Sequence, residues 1–253
     1  MINTYLTVGL SFLIGLFIFV SMPIVFHRTT GIRRMLFFNA FAIGILAFLL
    51  LVIFGDVAAI FGSSTITSPL VLIFLAGFVA AFLFFTIPKA SRDPEENPKR
   101  TSVLAGMGIG FQNLTEGLVF GSAGAAGLLP IYVLSIIGFG LQNMTEGFPI
   151  AAPLVGLKKK VEKRFIAGVF VLGGAPVVIG TLIGLVFYSN AFIVFFDALA
   201  CAAILYVVLV LFHININRGS SDQHGIKSSM KLTYSGILLG FVVAYVVNYA
   251  VVA

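Results

Sequence analysis

Two short strings carry most of the chemistry in this 253-residue chain. Gln112-Asn-Leu-Thr-Glu-Gly117 and Gln142-Asn-Met-Thr-Glu-Gly147 are identical at five of six positions and lie thirty residues apart. In each, Gln and Glu are four residues apart and Asn and Glu three apart. On a helix this spacing puts Gln112, Asn113 and Glu116 on one face, and likewise Gln142, Asn143 and Glu146. Two carboxylates among four amides form a set of hard oxygen donors, and their two negative charges match one divalent cation. With no metal bound, two adjacent carboxylates would share a proton, and metal binding would release it. The bland reading is that the amides join helices by hydrogen bonds, with protonated glutamates completing the network. Two copies of one pattern favour the ligand reading. Asn113 and Asn143 also fit the Asn-X-Ser/Thr glycosylation pattern, an accidental match if both are buried in a membrane.

The elements that must hold these residues are membrane helices. The sequence is 60% hydrophobic and 9% charged, with a mean hydropathy of +1.13, whereas soluble domains carry about 25% charged residues. Lipid must therefore be the solvent for most of the surface. Eight runs approach the roughly 20 apolar residues that a span needs: Tyr5–Phe26, Met35–Phe54, Pro69–Ile87, Ser102–Ser122, Leu129–Leu157, Phe165–Tyr188, Ala191–Phe212 and Leu232–Val251. The sequence thus predicts an all-α membrane protein, one transmembrane domain over residues 1–253 with eight helices. The first run has no basic residues ahead of it and no small-residue cleavage site, so it reads as a retained helix and not a signal peptide.

Every one of the 15 Lys and Arg residues falls between runs one and two, three and four, five and six, or seven and eight. Cytoplasmic loops collect positive charge. The pattern predicts a multi-pass protein of the cell membrane with both termini on the non-cytoplasmic side. The net charge of +6 is then a topology signal, with attraction to anionic lipid, and implies no nucleic-acid partner.

The two motifs lie in the fourth and fifth predicted helices, which run in opposite directions, as in inverted-repeat transporters. Both glutamates fall well inside the hydrocarbon layer at about 1.5 Å of rise per residue. A buried ionised carboxylate there is costly unless paired or solvated, and no Lys or Arg lies within any predicted helix. The missing partner is an external cation or a proton.

Other residues add less. Asp197 lies about two turns into the seventh helix, where it can serve the cation path or act as a structural acceptor. Asp56 ends the second predicted helix and gives the outer mouth a mildly negative character. His27, His213 and His224 sit in or beside cytoplasmic loops without clustering, and Cys201 is the single cysteine. No disulfide framework or Cys/His zinc module can form. Pro149, Pro153 and Pro176 are expected to kink or break helices five and six. The loops Lys89–Thr101 and Ile214–Lys231 are polar. No GxxxxGK(S/T) string occurs, so transport would be passive or proton-linked. An intramembrane enzyme would need a metal-anchored water or a nucleophile. The helices offer neither an HExxH string nor a Ser/His pair, so the chain is read as a non-enzyme without a resident cofactor.

In its motifs and topology the chain resembles the ZIP family of divalent-metal transporters. That family has eight helices and both termini outside, with an HNxPEG-like motif in helix four and a (H/Q)(N/D/E)xPEG-like motif in helix five. The resemblance implies a ZIP-like bundle and a metal site of Gln112, Asn113, Glu116, Gln142, Asn143 and Glu146. It also implies divalent metal as cargo of the zinc, iron and manganese class, movement toward the cytoplasm and a homodimer; Asp56 and Asp197 are entry-path candidates by their own positions. The departures are Gln112 for the family's histidine, Thr115 and Thr145 for the motif prolines, and Ala175 where a sixth-helix glutamate often stands. They leave one site of oxygen ligands, which favours harder metals such as Mn²⁺ or Fe²⁺ relative to a His-containing site. They also leave open a non-transporting ZIP-like protein whose polar motifs are structural or bind another ligand.

Overall fold

The computed structural model describes residues 2–26, 32–86, 98–155, 161–219 and 226–252. Among these residues every regular element is a helix. Such an arrangement satisfies each backbone N–H and C=O within its own segment, which a bilayer demands. The helices are α1 (Thr4–Leu16), α2 (Pro23–Phe26), α3 (Ile32–Ser63), α4 (Thr67–Thr86), α5 (Pro98–Ala126), α6 (Leu129–Ala151), α7 (Lys163–Gly174), α8 (Pro176–Gly184), α9 (Asn190–Gly219) and α10 (Ile226–Val252). A 3-10 segment, Phe17–Ser21, joins α1 to α2, and another, Ala152–Leu154, ends α6. Asn3 opens α1 as an N-cap, its side-chain oxygen accepting from the Tyr5 and Leu6 amides, which satisfies two N–H groups with no partner in the helix.

Among the described residues six stretches are long and apolar enough to cross a membrane: Thr4–Phe26, Ile32–Ser63, Thr67–Thr86, Lys163–Gly184, Asn190–Gly219 and Ile226–Tyr249. The chain is therefore an all-helical protein of multi-pass membrane character. The motif-bearing helices α5 and α6, 29 and 23 residues long, are not among the six. Their amides, threonines and glutamates dilute the apolar run.

Several predicted ends move. The polar segment Ile214–Lys231 is helical over Ile214–Gly219 and Ile226–Lys231. Contacts explain the extension. Asn215 is buried and donates to the Leu36 carbonyl, and Arg33 donates to Ser228. α3 continues past Asp56 to Ser63, because Val57 is still buried in the bundle and nothing after Asp56 breaks the ladder. Lys99 and Arg100 lie in the first turn of α5. α6 passes through Pro149 without ending, whereas Pro153 lies in the closing 3-10 turn and Pro176 opens α8. The sixth predicted helix, Phe165–Tyr188, is thus broken at Ala175 into α7 and α8. His27, His224, Lys89, Arg92 and Lys158–Lys160 lie outside the described residues.

The core is largely apolar, the motif side chains are buried within it, and large apolar side chains also cover the outside. Leu72 on α4 and Leu238 on α10 are 68% and 65% exposed, and Tyr5 on α1 is 88% exposed. Gln112, Asn113, Asn143, Glu146 and Asp197 are buried. A belt of exposed large apolar side chains suits lipid and not water. α5 sits centrally, touching α6, α7, α8 and α9. It approaches α8 through glycines on both sides. A Cβ on Gly117 would overlap the Val177 carbonyl, and one on Gly180 the Leu114 carbonyl. α3 and α10 meet in the same way at Gly44 and Gly240. With no hydrophobic drive between helices in lipid, this close backbone approach supplies the packing energy.

Candidate cation-binding site

All six amide and carboxylate residues singled out from the two motifs come together where α5 crosses α6. Asn113 and Asn143 exchange side-chain hydrogen bonds of 2.9 and 3.1 Å. The second hydrogen of each amide is also used, Asn113 donating to the Gly173 carbonyl at 2.9 Å and Asn143 to the Phe139 carbonyl at 2.9 Å. Both asparagines are fully buried. With both hydrogens of each amide used, the pair clasps α5, α6 and α7, while each amide oxygen keeps a lone pair.

The threonines in the motifs act locally. The Thr115 and Thr145 hydroxyls lie 2.7 and 2.8 Å from the carbonyls of Gln112 and Gln142. Each motif therefore sits in unbroken helix. Thr115 also lies 2.8 Å from Asp197 Oδ1, which ties the motif face of α5 to α9. The Gly147 position lets α6 close on the Phe17–Ser21 segment, where a Cβ would strike Ser21 and the Ile18 carbonyl.

The glutamates break the pseudo-symmetry. Gln112 and Gln142 both donate to Glu116 Oε1, at 2.9 and 2.8 Å. Glu146 receives no such bond: both its oxygens are buried without a hydrogen-bond partner, as are Glu116 Oε2 and Gln112 Oε1. Six side-chain atoms among the described residues are orphaned in this way, and four of them belong to this one cluster. All four are acceptors. An unmet buried acceptor costs about 1–3 kcal/mol, more when charged, so a cation or protons placed here would relieve several such costs at once.

The charges acting on Glu116 are all carboxylates, those of Glu146, Asp56 and Asp197. Asp197 is buried. Asp56 is exposed on α3, within electrostatic range of the cluster. In their ionised forms these acids would give the centre of the bundle a negative field, which attracts cations. Among the described residues no three of His, Cys, Asp and Glu form a metal-ligating group. The donor set here is two carboxylates with amide oxygens, all hard ligands. His213 stands away from it on α9, 3.0 Å from Asn217. Cys201 is a buried free thiol one turn beyond Asp197. Ala175 is exposed at the α7–α8 break and contributes no ligand.

Beside Glu146 a cavity opens toward α3 and α10. Its lining includes Gln142, Thr145, Glu146, Phe48 and Asn248. Its free core, about 10 Å³, is the space of one water-sized particle. Asn248 escaped the sequence reading. Its signal is a lone amide in the apolar run Val246-Val247-Asn248-Tyr249, which no motif marks. The link between Thr115 and Asp197 was also missed, since eighty-two residues separate them.

No protein-family model matches the chain, and no curated protein matches its sequence.

Proposed function

We propose that the chain is an eight-span transporter of divalent cations, ZIP-like in arrangement, with its site between α5 and α6 near the middle of the membrane. One observation carries the reading: four buried acceptor oxygens without donors, on Glu116, Glu146 and Gln112, converge between antiparallel copies of one motif. Glu146 and Glu116 are the main ligands, Gln112 and Gln142 supply amide oxygens or steady the carboxylates, and the Asn113–Asn143 clasp fixes the geometry. An all-oxygen site suits Mn²⁺ or Fe²⁺ better than a His-containing one does. The cargo would move toward the cytoplasm with both termini outside, a direction that rests on the ZIP resemblance.

The Asn113–Asn143 clasp, which uses every amide hydrogen of the pair, favours a second reading, a non-transporting membrane protein whose polar network only joins helices. Uptake of Mn²⁺, Fe²⁺, Zn²⁺ and Cd²⁺ into proteoliposomes separates the two. Saturable flux lost in Glu116→Ala/Glu146→Ala is the expected result. Flux no greater than that of empty liposomes, with protein shown to be folded, would establish the structural reading.

A further inference from the structure

We propose that Asn248 of α10 is a further ligand of the cation site, supplying its amide oxygen from the wall of the cavity facing Glu146. The inference rests on the cation-site reading above and extends it to a helix that carries no motif. Glu146 is 1% exposed, with both carboxylate oxygens orphaned, and it lines the cavity. Asn248 lines the same cavity. The other walls that α3 and α10 supply are apolar side chains, Ile45, Phe48 and Val247 among them. An amide among them has no packing advantage, and in an apolar run it is expensive without a partner. The Asn248 side chain has no hydrogen-bond partner among the described residues.

The size of the cavity matters. With room for about one water-sized particle, groups on opposite walls reach the same occupant. A cation bound to Glu146 would meet the Asn248 carbonyl oxygen at the position where a water would otherwise sit. Thr145 adds to this side. Its hydroxyl proton goes to the Gln142 carbonyl, so its lone pairs remain to accept. Pro149, four residues on, carries no N–H to bond the Thr145 carbonyl. The ligand shell is thus oxygen throughout. It is contributed by α5, α6 and α10, and occupancy would join α10 to the α5–α6 pair.

The test is Mn²⁺ titration of the purified full-length chain in detergent, with free Mn²⁺ followed by electron paramagnetic resonance. Asn248→Ala should weaken Mn²⁺ binding about tenfold, a change of about 1.4 kcal/mol. Asn248→Asp, which adds a charge at the same place, should tighten it. A helix-joining role for Asn248 predicts no gain in the aspartate variant. Thermal unfolding without metal reports on folding of both variants, and the extra stability conferred by Mn²⁺ should shrink in Asn248→Ala and grow in Asn248→Asp. If the native chain binds Mn²⁺ and both variants match it, Asn248 is no ligand and the α5–α6 site stands alone. If the native chain binds none, the cation-site reading itself fails and this inference with it.

Discussion

At the scale of single residues, the two glutamates are not equivalent although their motifs are nearly so. Glu116 collects both glutamine amides on one oxygen, while Glu146 meets the Gln142 and Asn113 amides only outside hydrogen-bond geometry. Glu146 therefore has more to gain from a cation. Replacing it with alanine should weaken Mn²⁺ binding by about 100-fold or more, a change of about 2.7 kcal/mol, and Glu116→Ala should have a smaller effect. Isothermal titration of the two variants checks the order. Protons and metal compete for the same oxygens, so affinity should rise as pH increases and fall as it is lowered. A Mn²⁺ affinity that is flat between pH 5.5 and 8 would count against carboxylate ligation. The six motif residues were legible from spacing alone, because helical geometry makes positions three and four apart neighbours. The unequal sharing of donors was not legible, since it depends on which glutamine amide crosses between helices. Asn248 was hidden for a related reason: the motif residues that share its cavity lie far earlier in the chain, and a lone amide in a helix has no pattern to mark it.

At the scale of elements, close packing through glycine positions the site. Gly117 immediately follows Glu116, and the Val177 carbonyl occupies the space where its Cβ would be. Gly117→Ala or Gly180→Ala would force α5 and α8 apart and should destabilise the protein by about 1–3 kcal/mol. Gly168→Ala, where a Cβ meets nothing within 4 Å, should be neutral or slightly stabilising. Thermal unfolding in detergent would compare the three. If Gly117→Ala and Gly168→Ala melt alike, the α5–α8 contact does not hold the site in place. Most helices could be found from apolar runs, but their ends could not. α9 and α10 extend into a segment that reads as polar loop, because Asn215 and Arg33 find partners on neighbouring helices. Likewise α3 outlasts Asp56 through burial of Val57. Such ends are decided by tertiary contacts, which composition does not report.

At the scale of the whole molecule, polar groups are gathered at the centre of an apolar bundle, and positive charge lies in alternate connections and the helix ends that flank them. The charge pattern was fully legible in the sequence, as was the membrane character. The proposed topology makes a direct prediction. In a Cys201→Ala background, cysteines placed at Ser64 and Ser189 should react with an impermeant maleimide added outside intact cells, while one at Ser228 should react only after the membrane is opened. Labelling of the cysteine at position 228 from outside would invert the orientation and the proposed direction of transport.

The central claim is that one divalent cation sits between Glu116 and Glu146, and locating Mn²⁺ by anomalous scattering from crystals of the protein tests it most directly. A single strong peak is expected about 2.0–2.6 Å from carboxylate oxygens of both glutamates, absent in the Glu116→Ala/Glu146→Ala protein. A peak elsewhere, or none at saturating Mn²⁺, would contradict it.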